Sequence, residues 1–499
     1  MYKNIQKKIY IQILIFNVML LFCVYSIAVF SIHYSPDSFS TFFNNPAHQH
    51  LRLGRLLNFL IYSGFETLNI NIAKHVIFNQ LFLIITMALL MTKLTEMFQS
   101  ALNLKECRKD IFILNLIISL FFININILEG WFLFPETCFS GSISLTLSIL
   151  SICLFCEAKN LKGYLLSFFV LLLALNMYQV YIENYLIIGA AFVFIENKTQ
   201  IDFKCVRRLI YLIIIGAIAS LTSVLILKVL EEIGLSTGND RAVVLSLQVL
   251  INNAQSIFKN AIQVLNDYNG YLPKYSVATF VIALYGVIIF GIRKNGISPL
   301  AHYIAIVIFS CAIMIAAYLP HFVVSTVWLA PRAILGVSAA IASLAILAFS
   351  FSETFGKKVL FLAVIAYLTV NYIQVQRIVV NGSINDGIDQ EQVHQIGQVI
   401  EEYQNDTGNT IKYFAIHNDG GYKWAYDSVN YNIYETNSRK ANVEWAVMPM
   451  INYYLGSDYL RVDFPDEKYL DFFGDKNWDY FEPDEQIICE GDTLYMAVY

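Results

Sequence analysis

Eleven apolar segments alternate with short polar loops along the chain, and this alternation constrains its fold more than any other feature. An apolar stretch of about 20 residues is long enough to cross a lipid bilayer as a helix. Backbone polar groups inside a bilayer must be satisfied within helices or closed barrels, because no water is present there. The composition agrees, since 57% of the residues are hydrophobic and only 14% are charged. The sequence therefore predicts a polytopic α-helical membrane protein.

The basic residues give the predicted helices an orientation. Lys and Arg fall almost entirely on every second loop, and loops of this kind stay in the cytoplasm. The N-terminus is then inside, and an odd number of spans places residue 378 onward outside. A polar break at Tyr178–Tyr181 indicates a tight re-entrant pair for the fifth and sixth spans. The predicted spans are 9–31, 75–97, 110–128, 140–158, 163–177, 181–196, 208–230, 276–293, 299–318, 332–350 and 357–377.

Residues 378–499 differ from the rest of the chain in charge. They hold 22 acidic and 7 basic side chains, whereas the whole chain holds 38 and 33. We expect two domains, a transmembrane domain over 1–377 and a small extracytoplasmic α/β domain over 378–499. The latter should contain a helix at Asp389–Tyr403 and strands at Thr410–His417, Val443–Tyr453 and Gln486–Tyr499, the last folded as a hairpin. No basic stripe leaves the membrane, which argues against a nucleic-acid partner.

Ionisable groups in or beside a membrane cost free energy, so each is a functional candidate. Asp37 follows the first span in the run Ser35-Pro36-Asp37-Ser38, where Pro36 fixes the backbone. Its carboxylate could act as a general base on an acceptor hydroxyl. The alternative is a helix-cap or turn aspartate.

Three arginines lie on loops that otherwise carry few Lys and Arg. Arg52 and Arg55 are three residues apart and would share a helix face, and Arg332 follows Pro331 at the start of a span. The planar guanidinium group suits phosphate. The alternative is contact with lipid headgroups.

The remaining candidates lie on the same predicted outer face. Glu129 and Glu136 flank an aromatic loop that contains Trp131, which is either an interface belt or a sugar platform. The other polar candidates, each a possible sugar ligand, are Tyr178, Gln179, Glu183 and His321. No phosphate-cradling, dinucleotide-binding or zinc-protease motif is found, so we expect no cofactor. A divalent metal is possible but is not indicated by ligand spacing.

The arrangement of these residues resembles the serotype-converting membrane glucosyltransferases of the GtrII-like group. The shared features are an acidic residue at Ser35-Pro36-Asp37-Ser38, then Gly54-Arg55, Pro135-Glu136, Tyr178-Gln179 and Pro331-Arg332, followed by an acidic tail. That family often has paired aspartates in the first loop, whereas Pro36 and Ser38 flank Asp37 here. Glu129 or Glu136 could then share its work.

The resemblance implies a C-type glycosyltransferase fold in a bacterial cytoplasmic membrane. It also implies a polyprenyl-phosphate-linked sugar donor, made by a partner glycosyltransferase and flipped outward by a second partner protein. The acceptor would be a lipid-linked or surface polysaccharide such as O-antigen. In this interpretation Asp37 deprotonates the acceptor, and Arg52, Arg55 and Arg332 bind the phosphate of the donor.

Two other functions stay open at this point. An O-antigen polymerase also has many spans and outer-loop arginines, although the acidic tail suits a transferase better. A lipid-linked sugar flippase or transporter should show internal repeats and charges at the membrane midplane, and neither is evident in the sequence.

Overall fold

The computed structural model describes residues 2–43, 46–104, 108–236, 243–244, 246–294, 299–418, 439–474, 476, 478 and 481–498. This part of the chain is mostly helical and ends in a small sheet. The α-helices are α1 (Tyr2–Phe30), α2 (Pro36–Phe43), α3 (Ala47–Arg52), α4 (Leu56–Thr67), α5 (Val76–Ala101), α6 (Arg108–Ile118), α7 (Ile125–Ile127), α8 (Cys138–Glu157), α9 (Leu161–Leu175), α10 (Tyr181–Glu196), α11 (Phe203–Glu232), α12 (Leu247–Asn266), α13 (Ser276–Lys294), α14 (Pro299–Ala316), α15 (Leu335–Phe351), α16 (Thr354–Thr407), α17 (Val447–Leu455), α18 (Asp466–Phe473) and α19 (Pro483–Gln486). The strands are β1 (Tyr413–Asn418), β2 (Leu460–Val462), β3 (Ile487–Glu490) and β4 (Thr493–Val498).

The helices confirm a membrane protein. Within the described residues, six helices are long and apolar enough to cross a bilayer, and a bent pair would make a seventh. The helices α9, α14 and α15 are apolar but shorter. A helix lies at each of the eleven predicted spans, while the number of eleven crossings itself stays a prediction.

The third predicted span is not one straight helix, which corrects the expectation for 110–128. A 3₁₀ turn follows α6, and the chain then bends by 46° into α7 and a π-helical turn at Leu128–Phe132. The Asn124 side chain accepts a hydrogen bond from the backbone N–H of Ile127, which caps the new direction. A π turn adds a residue to the helical repeat, and here it directs Glu129 into the protein interior.

The most central helix is α15. Every residue from Leu335 to Phe351 except Ser350 is buried. Its many Ala, Ser and Gly residues allow neighbouring helices to approach closely. The segment that precedes α15, which contains Arg332, is therefore attached to a helix that is buried along nearly its whole length.

The C-terminal sheet has the strand order β2-β1-β4-β3. Both neighbours of β1 run parallel to it, whereas β3 and β4 form an antiparallel hairpin. Gly491 has a φ of +62°, which the tight turn between β3 and β4 requires. The predicted strands at 410–417 and 486–499 are confirmed.

The predicted strand at Val443–Tyr453 is wrong, because this segment contains α17. Its buried residues are Val447, Met448, Met450 and Ile451, the i, i+1, i+3, i+4 spacing of a helix face. This face packs with Phe39 of α2 and with the second half of α16. The predicted helix at 389–403 is part of α16, which continues without a break across the proposed domain boundary at residue 377.

Candidate active site

Connections between helices that are far apart in the sequence meet at one end of the bundle. The backbone N–H of Leu57, at the start of α4, donates to the carbonyl oxygen of Asn176 between α9 and α10 (3.2 Å). The Tyr178 hydroxyl donates in turn to the carbonyl oxygen of Arg332 before α15 (2.8 Å). These are the connections in which the sequence placed its candidates.

Arg332 forms an ion pair with the fully buried Glu129. One carboxylate oxygen of Glu129 contacts the guanidinium, and the other accepts the backbone N–H of Arg332 at 2.6 Å. The guanidinium carbon also lies 4.2 Å from the ring centre of Phe134 and 4.3 Å from that of Trp328. The charge and the plane of Arg332 are therefore both fixed, with 15% of its side chain exposed.

Asn126 secures the backbone on both sides of Arg332. Its amide nitrogen donates to the carbonyl oxygens of Pro331 (2.7 Å) and Ile334 (3.0 Å). Its amide oxygen accepts the hydroxyl of Tyr268. All of this side chain is buried, so its hydrogen bonds exchange with no bulk water.

Glu183 and His321 contact the backbone of the segment that follows Arg332. A carboxylate oxygen of Glu183 accepts the backbone N–H of Gly336 at 2.7 Å. The Nε2 atom of His321 donates to the carbonyl oxygen of Ala333 (2.7 Å) and lies 3.8 Å from the other oxygen of Glu183. Both residues, predicted as sugar ligands, are buried and contact the segment that carries Arg332.

Tyr178 contacts two of the predicted phosphate ligands, Arg55 and Arg332. The guanidinium carbon of Arg55 is 4.8 Å from the centre of the Tyr178 ring, while the Tyr178 hydroxyl bonds the backbone of Arg332. Gln179 donates to the carbonyl oxygen of Leu53 at 3.0 Å and so ties the Arg55 loop to this break. Tyr178 thus contacts the guanidinium of Arg55 through its ring and the backbone of Arg332 through its hydroxyl.

Trp131 and Arg52 have different positions. Trp131 is buried, and its ring stacks on Tyr181 and meets Tyr178 edge to face. It therefore packs inside the site instead of lining a surface belt. Arg52 is exposed in the last turn of α3. Within the described residues, it shares no hydrogen-bond partner with Arg55 or Arg332.

His50 lies beside Arg55 but is uncharged. Burial, and then the charge of Arg55, lower the pKa of His50 to about 3. Its ring packs against Tyr62 at 4.7 Å between centres. Among the described residues, no group of three or more His, Cys, Asp or Glu side chains could hold a metal ion.

Asp37 lies in the first turn of α2. Ser35 and Ser38 exchange hydrogen bonds between their backbone N–H groups and hydroxyls, each at 3.1 Å, which is a reciprocal cap of the helix start. Pro36 occupies the first helical position, where its missing N–H costs nothing. A negative charge in this turn is stabilised by the helix dipole. The local sequence thus explains why Asp37 lies in the first turn of α2.

Glu136 is buried directly under this helix start. Its two carboxylate oxygens accept the hydroxyls of Ser35 (2.9 Å) and Ser38 (2.5 Å), the residues that cap α2 on either side of Asp37. Its backbone carbonyl oxygen accepts the hydroxyl of Tyr62 at 2.7 Å. The two predicted carboxylates therefore share one small region, with Asp37 partly exposed and Glu136 enclosed.

Trp445, from the acidic C-terminal region, also reaches Asp37. Its indole N–H donates to Oδ1 of Asp37 at 3.1 Å, although the two residues are 408 positions apart. The side chain stays 52% exposed. The sequence reasoning did not single out this residue, because the segment around it was assigned to a strand. Its only signal was a tryptophan in an otherwise acidic region.

A short segment links the Arg332 and Asp37 groups. The Phe134 ring contacts the Arg332 guanidinium, and Glu136 is two residues further along the chain. Two residues span at most about 7 Å between Cα atoms. The segment from Phe134 to Glu136 therefore contacts Arg332 at one end and the helix start that carries Asp37 at the other.

Buried charges that the sequence reasoning missed anchor the C-terminal region beside this site. The Asp386 carboxylate of α16 accepts a hydrogen bond from Nδ1 of His33 at 2.7 Å and forms an ion pair with Lys440. Asp389, one turn later, pairs with Arg439 at 2.6 Å. Because His33 lies two residues before the cap of α2, these pairs connect α16, the 439–440 segment and the Asp37 region.

A comparison with protein families finds a match. The family model described as "Glucosyl transferase GtrII" matches residues 26–349, about two thirds of the chain. This range contains both carboxylate groups and the three arginines, and it ends before Trp445. Neither the curated proteins nor the solved structures give a match.

Proposed function

The chain belongs to the GtrII glucosyltransferase family, and from this premise we propose how it works as a membrane glycosyltransferase. It transfers glucose from a polyprenyl-phosphate-linked donor to a bacterial surface polysaccharide, the O-antigen. The reaction takes place at the outer face of the cytoplasmic membrane. The observation that supports this best is that one short segment, from Phe134 to Glu136, contacts both the Arg332 guanidinium and the helix start that carries Asp37, because transfer needs a phosphate-binding cation and a base near each other.

In the proposed step, the oxygen of an acceptor hydroxyl attacks the anomeric carbon of the donor sugar. The bond from this carbon to the phosphate oxygen breaks, and the polyprenyl phosphate leaves with the electron pair. Asp37 takes the proton from the acceptor hydroxyl. Attack opposite the leaving group inverts the anomeric centre. The step uses no cofactor.

Arg332 and Arg55 bind the phosphate of the leaving group in this mechanism. Positioned cations in a site that excludes water stabilise developing charge without reorganising. Glu129 is a positioning residue for Arg332, because both of its oxygens already contact that residue. Tyr178 contacts the Arg55 guanidinium and the Arg332 backbone, and in this mechanism its ring flanks the donor.

The other predicted roles complete the proposal. Glu136 orients the helix start that carries Asp37, through the two serine hydroxyls. Gln179, Trp131, Glu183 and His321 support the walls of the donor site, and Arg52 is placed to contact phosphate or lipid headgroups at the entrance.

The membrane arrangement is part of the proposal. Eleven spans with the N-terminus inside and a C-type fold would place the site and residues 378–499 on the extracytoplasmic side. A donor-synthesising glycosyltransferase and a donor flippase would supply the sugar. The lipid tail of the donor would lie against the apolar helices in the bilayer.

The test compares the surface polysaccharide of cells that express the wild type, Asp37→Asn or Asp466→Asn, by mass spectrometry of the repeat unit. Asp466 is a matched control because it is exposed in the first turn of α18, as Asp37 lies in the first turn of α2. We expect a hexose-sized mass gain with the wild type and with Asp466→Asn. Asp37→Asn should lower the rate by about 10²–10⁴-fold, the contribution of a general base.

Two results would contradict the proposal in different ways. A full mass gain with Asp37→Asn would retain the transferase but remove Asp37 as the base. A wild type that changes the length of the polysaccharide without a mass gain in the repeat unit would indicate a polymerase.

A further inference from the structure

The exposure of Trp445 is larger than its hydrogen bond to Asp37 requires. The indole N–H is engaged by the carboxylate at 3.1 Å, yet 52% of the side chain is open. A tryptophan that served only to hold Asp37 would gain by burying its ring. The large apolar faces of the ring instead lie exposed beside the candidate base.

A groove lies between α2, whose first turn carries Asp37, and α17, which follows Trp445 in the chain. It has a volume of about 240 Å³ and is lined by Phe43, Pro449, Asn452, Asp458 and Tyr459 among others. Asp37 is at the start of α2 and Phe43 at its end, which is about 9 Å along a helix. On the other wall, α17 begins two residues after Trp445.

The lining of this groove suits a saccharide. Phe43 is 48% exposed and offers an aromatic ring, as Trp445 does, and the apolar face of a sugar ring packs on such surfaces. Asp458 is exposed and can accept sugar hydroxyls. The volume is below the roughly 300–1,000 Å³ of sites for drug-sized ligands, which fits one or two sugar units.

Charge selects among possible occupants. Residues 378–499 hold 22 acidic and 7 basic side chains, so an anionic ligand would be repelled. An uncharged saccharide would not be. The hydrogen bond from Trp445 to Asp37 holds the indole beside the carboxylate that would deprotonate the acceptor hydroxyl, and the groove lies further along α2 and α17.

We propose that Trp445 is a platform for the acceptor saccharide and that the groove between α2 and α17 holds its neighbouring sugar units. The inference rests on the proposed function and adds to it the part of the chain that selects the acceptor. Both Trp445 and α17 lie outside the residues 26–349 that the family model matches.

The experiment uses the full chain in lipid nanodiscs. The probe is the polysaccharide that mild acid releases from the lipopolysaccharide of cells lacking this chain. Its affinity is measured by calorimetry without donor, and transfer is then followed with glucosyl polyprenyl phosphate. The variants are Trp445→Ala, Trp445→Phe and the control Leu470→Ala, which removes an apolar side chain that is 67% exposed on α18.

We expect Trp445→Ala to weaken binding of the probe, and to raise its KM, by about tenfold or more, as for a buried aromatic anchor in an interface. Trp445→Phe keeps an aromatic face and loses the N–H, so its affinity should stay within about threefold while kcat falls. The KM of the donor should not change in either variant. Leu470→Ala should behave as the wild type.

Equal binding of the probe by Trp445→Ala and the wild type would overturn the platform. So would equal losses of affinity in Trp445→Phe and Trp445→Ala, since the N–H contact would then account for the whole effect. If the wild type binds the probe but transfers no glucose to it, the proposed function fails while the binding result still decides the platform.

Discussion

The Arg332 segment and the start of α2 are held in place by different kinds of contact. Around Arg332, side chains from three separate connections fix both the backbone and the guanidinium; they are Glu129, Asn126, Tyr178, Glu183 and His321. At the start of α2, the buried Ser35 and Ser38 hydroxyls bond the enclosed Glu136, whereas the Asp37 carboxylate accepts a hydrogen bond from an indole that is 52% exposed.

In the proposed mechanism, this difference matches what each half has to do. The proposed leaving phosphate is the same in every turnover, and cations that stabilise it act best when they are already in place. The proposed acceptor differs in size and shape from the donor and must enter and leave. A partly exposed carboxylate beside an exposed ring leaves the base side open to it.

The largest effect that would test the comparison is expected from Arg332→Lys. Lysine keeps the charge but loses the planar group that lies against Phe134 and Trp328, so the rate should fall by about 10²–10³-fold. Steady-state kinetics with a polyprenyl-phosphate donor would show a change in donor use and little change in acceptor KM.

The control for this prediction is Arg207→Lys, since Arg207 is exposed at the start of α11, away from the site. Activity of Arg332→Lys equal to that of the control would show that a point charge is enough. The fixed plane of the Arg332 guanidinium would then not contribute to the transfer rate.

A smaller effect, on stability, is expected from Gly336→Ala. A Cβ atom at this position would lie 2.7 Å from the Cα of Ala317 and 2.8 Å from the Cβ of Glu183, so the backbone would have to move. Overpacking of this kind costs about 1–3 kcal/mol. Thermal unfolding in nanodiscs should show a lower midpoint, together with a lower transfer rate because the Arg332 segment shifts.

Gly286→Ala is the matched control, because a Cβ atom at Gly286 would meet nothing within 4 Å in the middle of α13. Alanine at a free helical position is stabilising by about 0.4–1 kcal/mol. If both variants unfold at the wild-type temperature, the segment before α15 is less tightly packed than the structure indicates.

Much of the fold follows from the period of apolar residues, because the bilayer leaves the backbone few alternatives. A helix was expected, and lies, at each of the eleven apolar segments. The bend after Phe121 was not predictable, since it depends on a π turn and on a cap by Asn124. The sequence alone predicts a strand for 443–453, whereas the packing of this segment on α2 and α16 selects a helix.

The residue types of the candidate site were predictable, and their partners were not. Charged groups beside apolar spans are rare enough to stand out individually. The pairing of Glu129 with Arg332 joins residues 203 positions apart, and that of Asp37 with Trp445 joins residues 408 apart. A single sequence contains no signal for such contacts, because they depend on how the helices pack.

The smallest effect that would sharpen the comparison is expected from Glu136→Gln. The Gln side chain keeps one acceptor oxygen for a serine hydroxyl, and its amide can donate to the other hydroxyl, which can rotate to accept. Rearranging one such hydrogen bond costs about 0.5–1.5 kcal/mol, so kcat should fall by only about three- to tenfold. The control is Glu157→Gln at the far end of α8, where the carboxylate is exposed. A loss as large as that of Asp37→Asn would mean that Glu136 itself takes part in proton transfer, and the base side of the site would then be as strictly determined as the Arg332 side.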